Sequence, residues 1–194
     1  MKTFATLATV ALLSSCSILQ PIADDPVRHL LDSPLSNRTP TASSPSVAVA
    51  KPSLPPYLER VELITRTGDG RLEVHEKNLW SEPLDAGITR VVADNLRRLT
   101  GSTNIQPSSN FIGREYTSLV EIRIERFDPE PDGSLLLECT WKVQPIGGGD
   151  AAPKAFRTKV PVADQSSMGN PMSGRIVAMN EALAQLSRSI AKGL

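Results

Sequence analysis

Hydrophobic and polar positions along this chain follow two rhythms, one of period two and one of period three to four. Residues 118–127, SLVEIRIERF, set Val120, Ile122 and Ile124 against Glu121, Arg123 and Glu125. Residues 135–143, LLLECTWKV, set Leu135, Leu137, Cys139, Trp141 and Val143 against Glu138, Thr140 and Lys142. Alternation with one charged face predicts strands of a sheet that is wet on one side, here a central antiparallel pair. Two shorter alternating runs, RVELITR (60–66) and RLEVHEK (71–77), flank Thr67-Gly68-Asp69-Gly70, whose glycines admit positive φ, and predict a second hairpin. Further strands are expected at AFRTKV (155–160) and SVAVA (46–50), with VRHLL (27–31) a weaker candidate.

The longer period appears twice. Leu84, Ile88, Val91, Val92, Leu96 and Leu99 make one apolar stripe. Pro83 suits a first helical turn, Glu82 and Asp85 complement its positive end, and Gly101 follows Arg97 and Arg98 at the negative end. Asn170-Pro171 reads as a cap and first turn for a second helix, with Ile176, Met179, Leu183, Leu186 and Ile190 on its core face. The expected fold class is therefore α/β (α+β): a mainly antiparallel sheet covered by two helices, in one domain. Residues 33–56 are rich in Pro, Ser, Thr and Ala, a composition that buries too little apolar area to offset its ordering entropy, and 33–45 is expected to be a flexible loop.

The amino-terminal end breaks both rhythms. Met1-Lys2 precedes an uncharged run from Phe4 to Leu13, a signal-peptide layout, and the run is shorter than the ~20 apolar residues a spanning helix needs. It closes on Leu12-Leu13-Ser14-Ser15-Cys16, which resembles the bacterial lipobox. That resemblance implies a thioether-linked diacylglycerol on Cys16, with fatty acyl chains such as palmitate as the membrane anchor; a two- or three-chain lipid detaches very slowly. The expected organisation is a signal peptide at 1–15, a lipidated tether at 16–26 and a domain at 27–194. Serine rather than aspartate at position 17 favours, by the same resemblance, the periplasmic face of the outer membrane.

Charge and titratable chemistry narrow the functional classes. Loss of residues 1–15 leaves 20 basic against 21 acidic side chains, a balance with no broad attraction for nucleic acid or anionic lipid. With Cys16 lipidated, Cys139 is left without a thiol to bridge, on the apolar face of a strand where it reads as a small buried hydrophobe. Two histidines and one thiol are a poor metal-binding set, and neither a metal nor any cofactor beyond the lipid is expected. His29 and His75 fall in expected strands with no nucleophile elbow in the chain; they define the rival reading, a periplasmic enzyme. Asp128, Glu130, Asp132 and Gly133 mimic the start of a calcium loop, but Cys139 occupies the position of its bidentate glutamate, so the segment reads as a turn. Glu121 and Glu125 alternate with Arg123 as a solvated ionic face, and Gly68-Asp69-Gly70 lacks the third glycine and following helix of a phosphate loop.

Residues 54–99 carry a longer pattern. Pro56-Tyr57-Leu58-Glu59-Arg60, Arg66, Arg71-Leu72, Trp80, Glu82-Pro83-Leu84 and Asn95-Leu96 fall in an order that resembles the PqiC-type ABC transport auxiliary lipoproteins. The chain departs from that pattern at Arg28-His29, where family members often carry paired tyrosines. The resemblance implies a non-catalytic outer-membrane lipoprotein. It also implies a PqiB-like MCE protein as partner, lipid transport in support of membrane integrity, and a homo-oligomeric ring. An auxiliary lipoprotein of another ABC or MCE system is the alternative. Tyr57, Arg66 and Trp80 are the candidate partner-binding residues, since aromatics and arginine supply most interface hot-spot energy; the competing role for Tyr57 and Trp80 is packing the first helix onto the sheet.

Overall fold

The computed structural model describes residues 25–37, 39, 46–111, 116–163 and 171–194 of the 194. The expected signal peptide, Cys16, the tether as far as residue 24, most of the 33–45 loop and the Asn170 cap lie outside the described residues.

Both hairpins form. Strands β3 (Glu62–Arg66) and β4 (Leu72–Trp80) pair antiparallel around a turn whose Gly70 takes φ 80°, the left-handed region that a side chain would strain. Strands β6 (Ser118–Pro129) and β7 (Ser134–Pro145) form the long central ladder, and β8 (Lys154–Pro161) adds antiparallel to β7. Three further strands of three residues each extend these ladders in parallel: β1 (Val27–His29) on β4, and β2 (Val47–Val49) between β6 and β5 (Ile105–Pro107). The strands thus divide into two sheets, ordered β1-β4-β3 and β5-β2-β6-β7-β8. The mainly antiparallel sheet with two helices is present as an α+β domain; its division into two sheets is a feature that the alternation did not specify.

Helix α1 (Leu84–Thr100) begins directly after Pro83 and ends on Gly101, at φ 73°. Helix α2 (Pro171–Ala191) packs beside it and over β7 and β8. The stripes meet as expected: Ile88, Val91, Val92 and Leu96 from α1 and Leu183, Leu186 and Ile190 from α2 are fully buried with Leu135, Leu137 and Val120 from the large sheet. Each such side chain contributes about 1.5–3 kcal/mol through removal from water.

Asn95 crosses this apolar seam. Its Oδ1 accepts from the Ser33 hydroxyl at 2.6 Å and its Nδ2 donates to Ser187 Oγ at 3.2 Å, so a fully buried amide is satisfied from both helices' surroundings. Arg98 also donates to the Leu35 carbonyl at 2.8 Å. The first residues of the expected flexible loop are therefore held on α1 by polar side chains, which a reading based on composition does not register.

Candidate functional site

Two features organise polar side chains on either side of the short turn Pro56–Leu58. The first centres on Asp128. A bulge in β6 between Ile124 and Arg126 reverses which face each later residue takes, so Phe127 joins Leu137 in the core while Asp128 pairs with Leu136 on the other face. That face is not wet there: both Asp128 and Leu136 are fully buried. Tyr57, in the short turn Pro56–Leu58, donates its hydroxyl to Asp128 Oδ2 at 2.7 Å. Arg66, at the end of β3, donates to Oδ1 at 3.2 Å, and Arg126 donates to the same oxygen at 2.8 Å.

Arg66 also lies 5.3 Å from the centre of the Tyr57 ring, a cation–π distance. Burial, reinforced by the Asp128 hydrogen bond, pushes the Tyr57 hydroxyl up to about 12, so it remains a donor. Outward from Asp128, Arg126 also pairs with Glu130, and Lys159 contacts Glu130 at 3.3 Å and Asp132 at 2.9 Å. Three donors converge on one fully buried carboxylate. The arrangement locks β3 to the tip of the β6–β7 hairpin.

The second feature is a cleft of about 580 Å³ where the turn after Leu58, the end of β4 and the start of α1 meet β1. Its floor includes Leu54, Trp80 and Leu84; Val61, 51% exposed, stands at its edge. Local pairing explains the shape. The Trp80 amide donates to the Val61 carbonyl at 2.7 Å and the Ser81 amide to the His29 carbonyl at 2.8 Å, which sets β1 and β3 on either side of the β4 terminus. Glu82 is taken by Arg90 at 2.6 Å, Asp85 by Lys51 at 2.7 Å and Arg60 by Glu62 at 3.3 Å. Arg28 and Glu59 line the same cleft and have no ionic partner among the described residues.

The structure brings Tyr57 and Arg66 together at Asp128 and places Trp80 in the core, 6% exposed, between the cleft and a narrow crevice shared with Tyr57, Phe127, Met172 and Met179. His29 Nε2 donates to Asn78 Oδ1 at 2.9 Å within the β1–β4 ladder. His75 Nε2 lies 2.8 Å from Thr65 Oγ1 and 3.0 Å from Arg175 Nη1; because an arginine only donates, that nitrogen accepts and the ring is neutral. Burial and the Arg175 charge hold the His75 pKa below its ordinary value. Cys139 is 2% exposed, and burial pushes its thiol up to about 12. Glu121 pairs with Lys142 at 2.8 Å on the outer face, as the alternation implies.

Among the described residues there is no cluster of three potential metal ligands and no helix long and apolar enough to cross a membrane. Sequence reasoning missed Asp128 as an organising residue and missed Arg28 and Glu59. For Asp128 the available signal was an acid flanked by Arg126 and Glu130 at a strand end; Arg28 and Glu59 carried only their places off and on the family pattern.

Residues 29–191 match the family model described as the ABC-type transport auxiliary lipoprotein component. No curated protein sequence matches the chain. Among solved structures, an uncharacterized protein superposes with a TM-score of 0.69 at 19% identity, covering 88% of this chain and 99% of its own. A Xanthomonas campestris protein superposes with a TM-score of 0.64 at 16% identity, covering 84% of this chain and 92% of its own. At these identities the likeness is one of fold.

Proposed function

Since the chain belongs to the family of ABC-type transport auxiliary lipoprotein components, we propose that it is a non-catalytic, lipid-anchored subunit of a PqiABC-like MCE lipid-transport system. The observation that carries this is the family match, which spans the whole folded domain, residues 29–191. Membership in a lipoprotein family places the chain in the envelope, attached to a membrane. In the finer reading Cys16 bears the acyl chains at the periplasmic face of the outer membrane, and the domain docks a PqiB-like MCE component as one copy of a homo-oligomeric ring.

The packing supports a role through contact rather than chemistry. Asp128, Tyr57 and Arg66 satisfy one another, His75 is occupied by Thr65 and Arg175, and the Cys139 thiol is buried. The domain offers surfaces instead. One is the outer edge of β8, eight residues long and unpaired within the sheet order, to which a partner strand can add. Another is the rim of the ionic cluster, where the Arg66 side chain is 26% exposed. Trp80 acts from beneath, by shaping the cleft.

Affinity capture of the full-length protein from solubilised membranes tests the partnership. Recovery of a PqiB-like MCE protein is expected. Recovery of no MCE component at any detergent strength overturns it, and recovery of a component of another ABC or MCE system assigns the chain to that system. Mass spectrometry of the mature amino terminus tests the anchor: a diacylglyceryl adduct on Cys16 is expected, and an unmodified terminus removes it.

A further inference from the structure

We infer that the cleft between β1 and the start of α1 binds the zwitterionic headgroup of a membrane phospholipid, with its phosphate at Arg28 and its ammonium at Glu59. The volume, about 580 Å³, lies in the range of about 300–1,000 Å³ typical of small-molecule sites. Every other charged side chain in the lining is already matched: Glu82 by Arg90, Asp85 by Lys51, Arg60 by Glu62. What remains is one cation and one anion, Arg28 and Glu59.

That remainder selects the ligand class. A simple anion would satisfy Arg28 but meet Glu59, Glu82 and Asp85 in the same cleft, and the two acids at the α1 terminus occupy the position where a phosphate would otherwise be drawn. A group carrying both charges satisfies both residues. Val61, 51% exposed at the edge of the cleft, and Leu54 in its lining offer apolar surface for the glycerol and first methylenes. Position favours a bilayer source: ten residues lie between Cys16 and Val27, a span of at most about 40 Å. This last step rests on lipidation at Cys16; the charge matching does not.

Native mass spectrometry of the full-length protein, released from detergent with equimolar phosphatidylethanolamine and phosphatidylglycerol, tests the assignment. One phosphatidylethanolamine adduct is expected, favoured about fivefold over phosphatidylglycerol, the scale of one exposed charge pair. Arg28→Gln and Glu59→Gln, both at exposed positions, are each expected to cut that adduct about fivefold with an unchanged melting temperature. Glycerophosphoethanolamine, the headgroup without acyl chains, is expected to compete weakly; competition equal to the lipid's reassigns the cleft to a soluble phosphodiester and overturns the proposal. Equal phosphatidylglycerol binding, or an adduct indifferent to both substitutions, also overturns it. So does a lipid-free cleft in which Arg28→Gln instead abolishes co-purification of a protein partner. A lipidated Cys16 with no selective adduct sinks the cleft alone; an unmodified terminus with the adduct intact sinks the anchor alone.

Discussion

Replacing Asp128 with alanine should be the most damaging single change to a polar residue in this domain. The carboxylate is fully buried and accepts from Tyr57 at 2.7 Å, Arg126 at 2.8 Å and Arg66 at 3.2 Å. Hydrogen bonds to a charged group are worth about 1.5–3 kcal/mol each, so the three together amount to roughly 4.5–9 kcal/mol before desolvation is counted. Taking the carboxylate out of water costs several kcal/mol, which alanine no longer incurs, while the arginines lose a buried partner; measured losses for breaking such a pair are about 3–5 kcal/mol. The low end applies here, because Arg126 keeps Glu130 and both arginine side chains are about one quarter exposed.

The expected loss is therefore about 3 kcal/mol. With a urea m-value of about 2 kcal/mol/M for a domain of this size, the midpoint falls by about 1.5 M. Asp132→Ala, at a side chain 56% exposed, is the control; it removes a Lys159 contact and two Ser134 hydrogen bonds, all solvent-exposed, and should lower the midpoint by less than about 0.5 M. The double variant R66M/D128L, which leaves Arg126 with Glu130, should recover part of the loss. A midpoint shift below about 0.5 M for Asp128→Ala would refute the reasoning, since the carboxylate would then be solvated in both states.

His75 gives stability a pH dependence of defined sign. Its folded pKa is depressed, mainly by burial and then by Arg175, so its contribution is complete above the unfolded value near 6.5 and is lost as pH falls below it. The urea midpoint of wild type relative to His75→Gln should drop between pH 7.5 and 5.0; a constant difference would contradict the geometry. Gly101 ends α1 at φ 73°, and Gly101→Ala should cost about 1 kcal/mol, seen as a melting temperature lower by about 2–4 °C. Cys139, 2% exposed with its pKa near 12, should resist Ellman's reagent in the native protein and react on unfolding in urea.

How far the fold could be read from sequence depended on whether one segment carried its own signal. The β6–β7 pair and α1 did, because their periods persist over many residues. SVAVA was legible as a strand, but not its place between β5 and β6, where Val47, Ala48 and Val49 are all buried. Strand β5 has three residues and ends in Pro107, too short for any period to show. The bulge at Ile124/Arg126 was invisible because it arises in the pairing of two strands, and it is what sends Asp128 to the face that Tyr57 and Arg66 cover. The cleft draws on residues 28, 54, 59–61 and 80–85, joined by a parallel β1–β4 pairing that no local pattern encodes.

Several of the residues that carry the family resemblance share a structural role, although Glu59, Arg60, Arg71 and Leu72 of the same pattern are exposed. Tyr57 and Arg66 meet at Asp128; Trp80, Leu84 and Leu96 are buried; Glu82 pairs with Arg90, which in turn donates to the Leu31 carbonyl at 2.8 Å; Asn95 ties Ser33 to Ser187. Each joins one part of the domain to another: the small sheet to the large hairpin, α1 to the segment after β1, or one helix to the other. A pattern of such joints specifies how two sheets and two helices assemble. It specifies little about what the assembled surface touches. What the surface touches then depends on residues that make no such joint: Arg28, off the pattern, and Glu59, on it, both open onto the cleft with no ionic partner among the described residues.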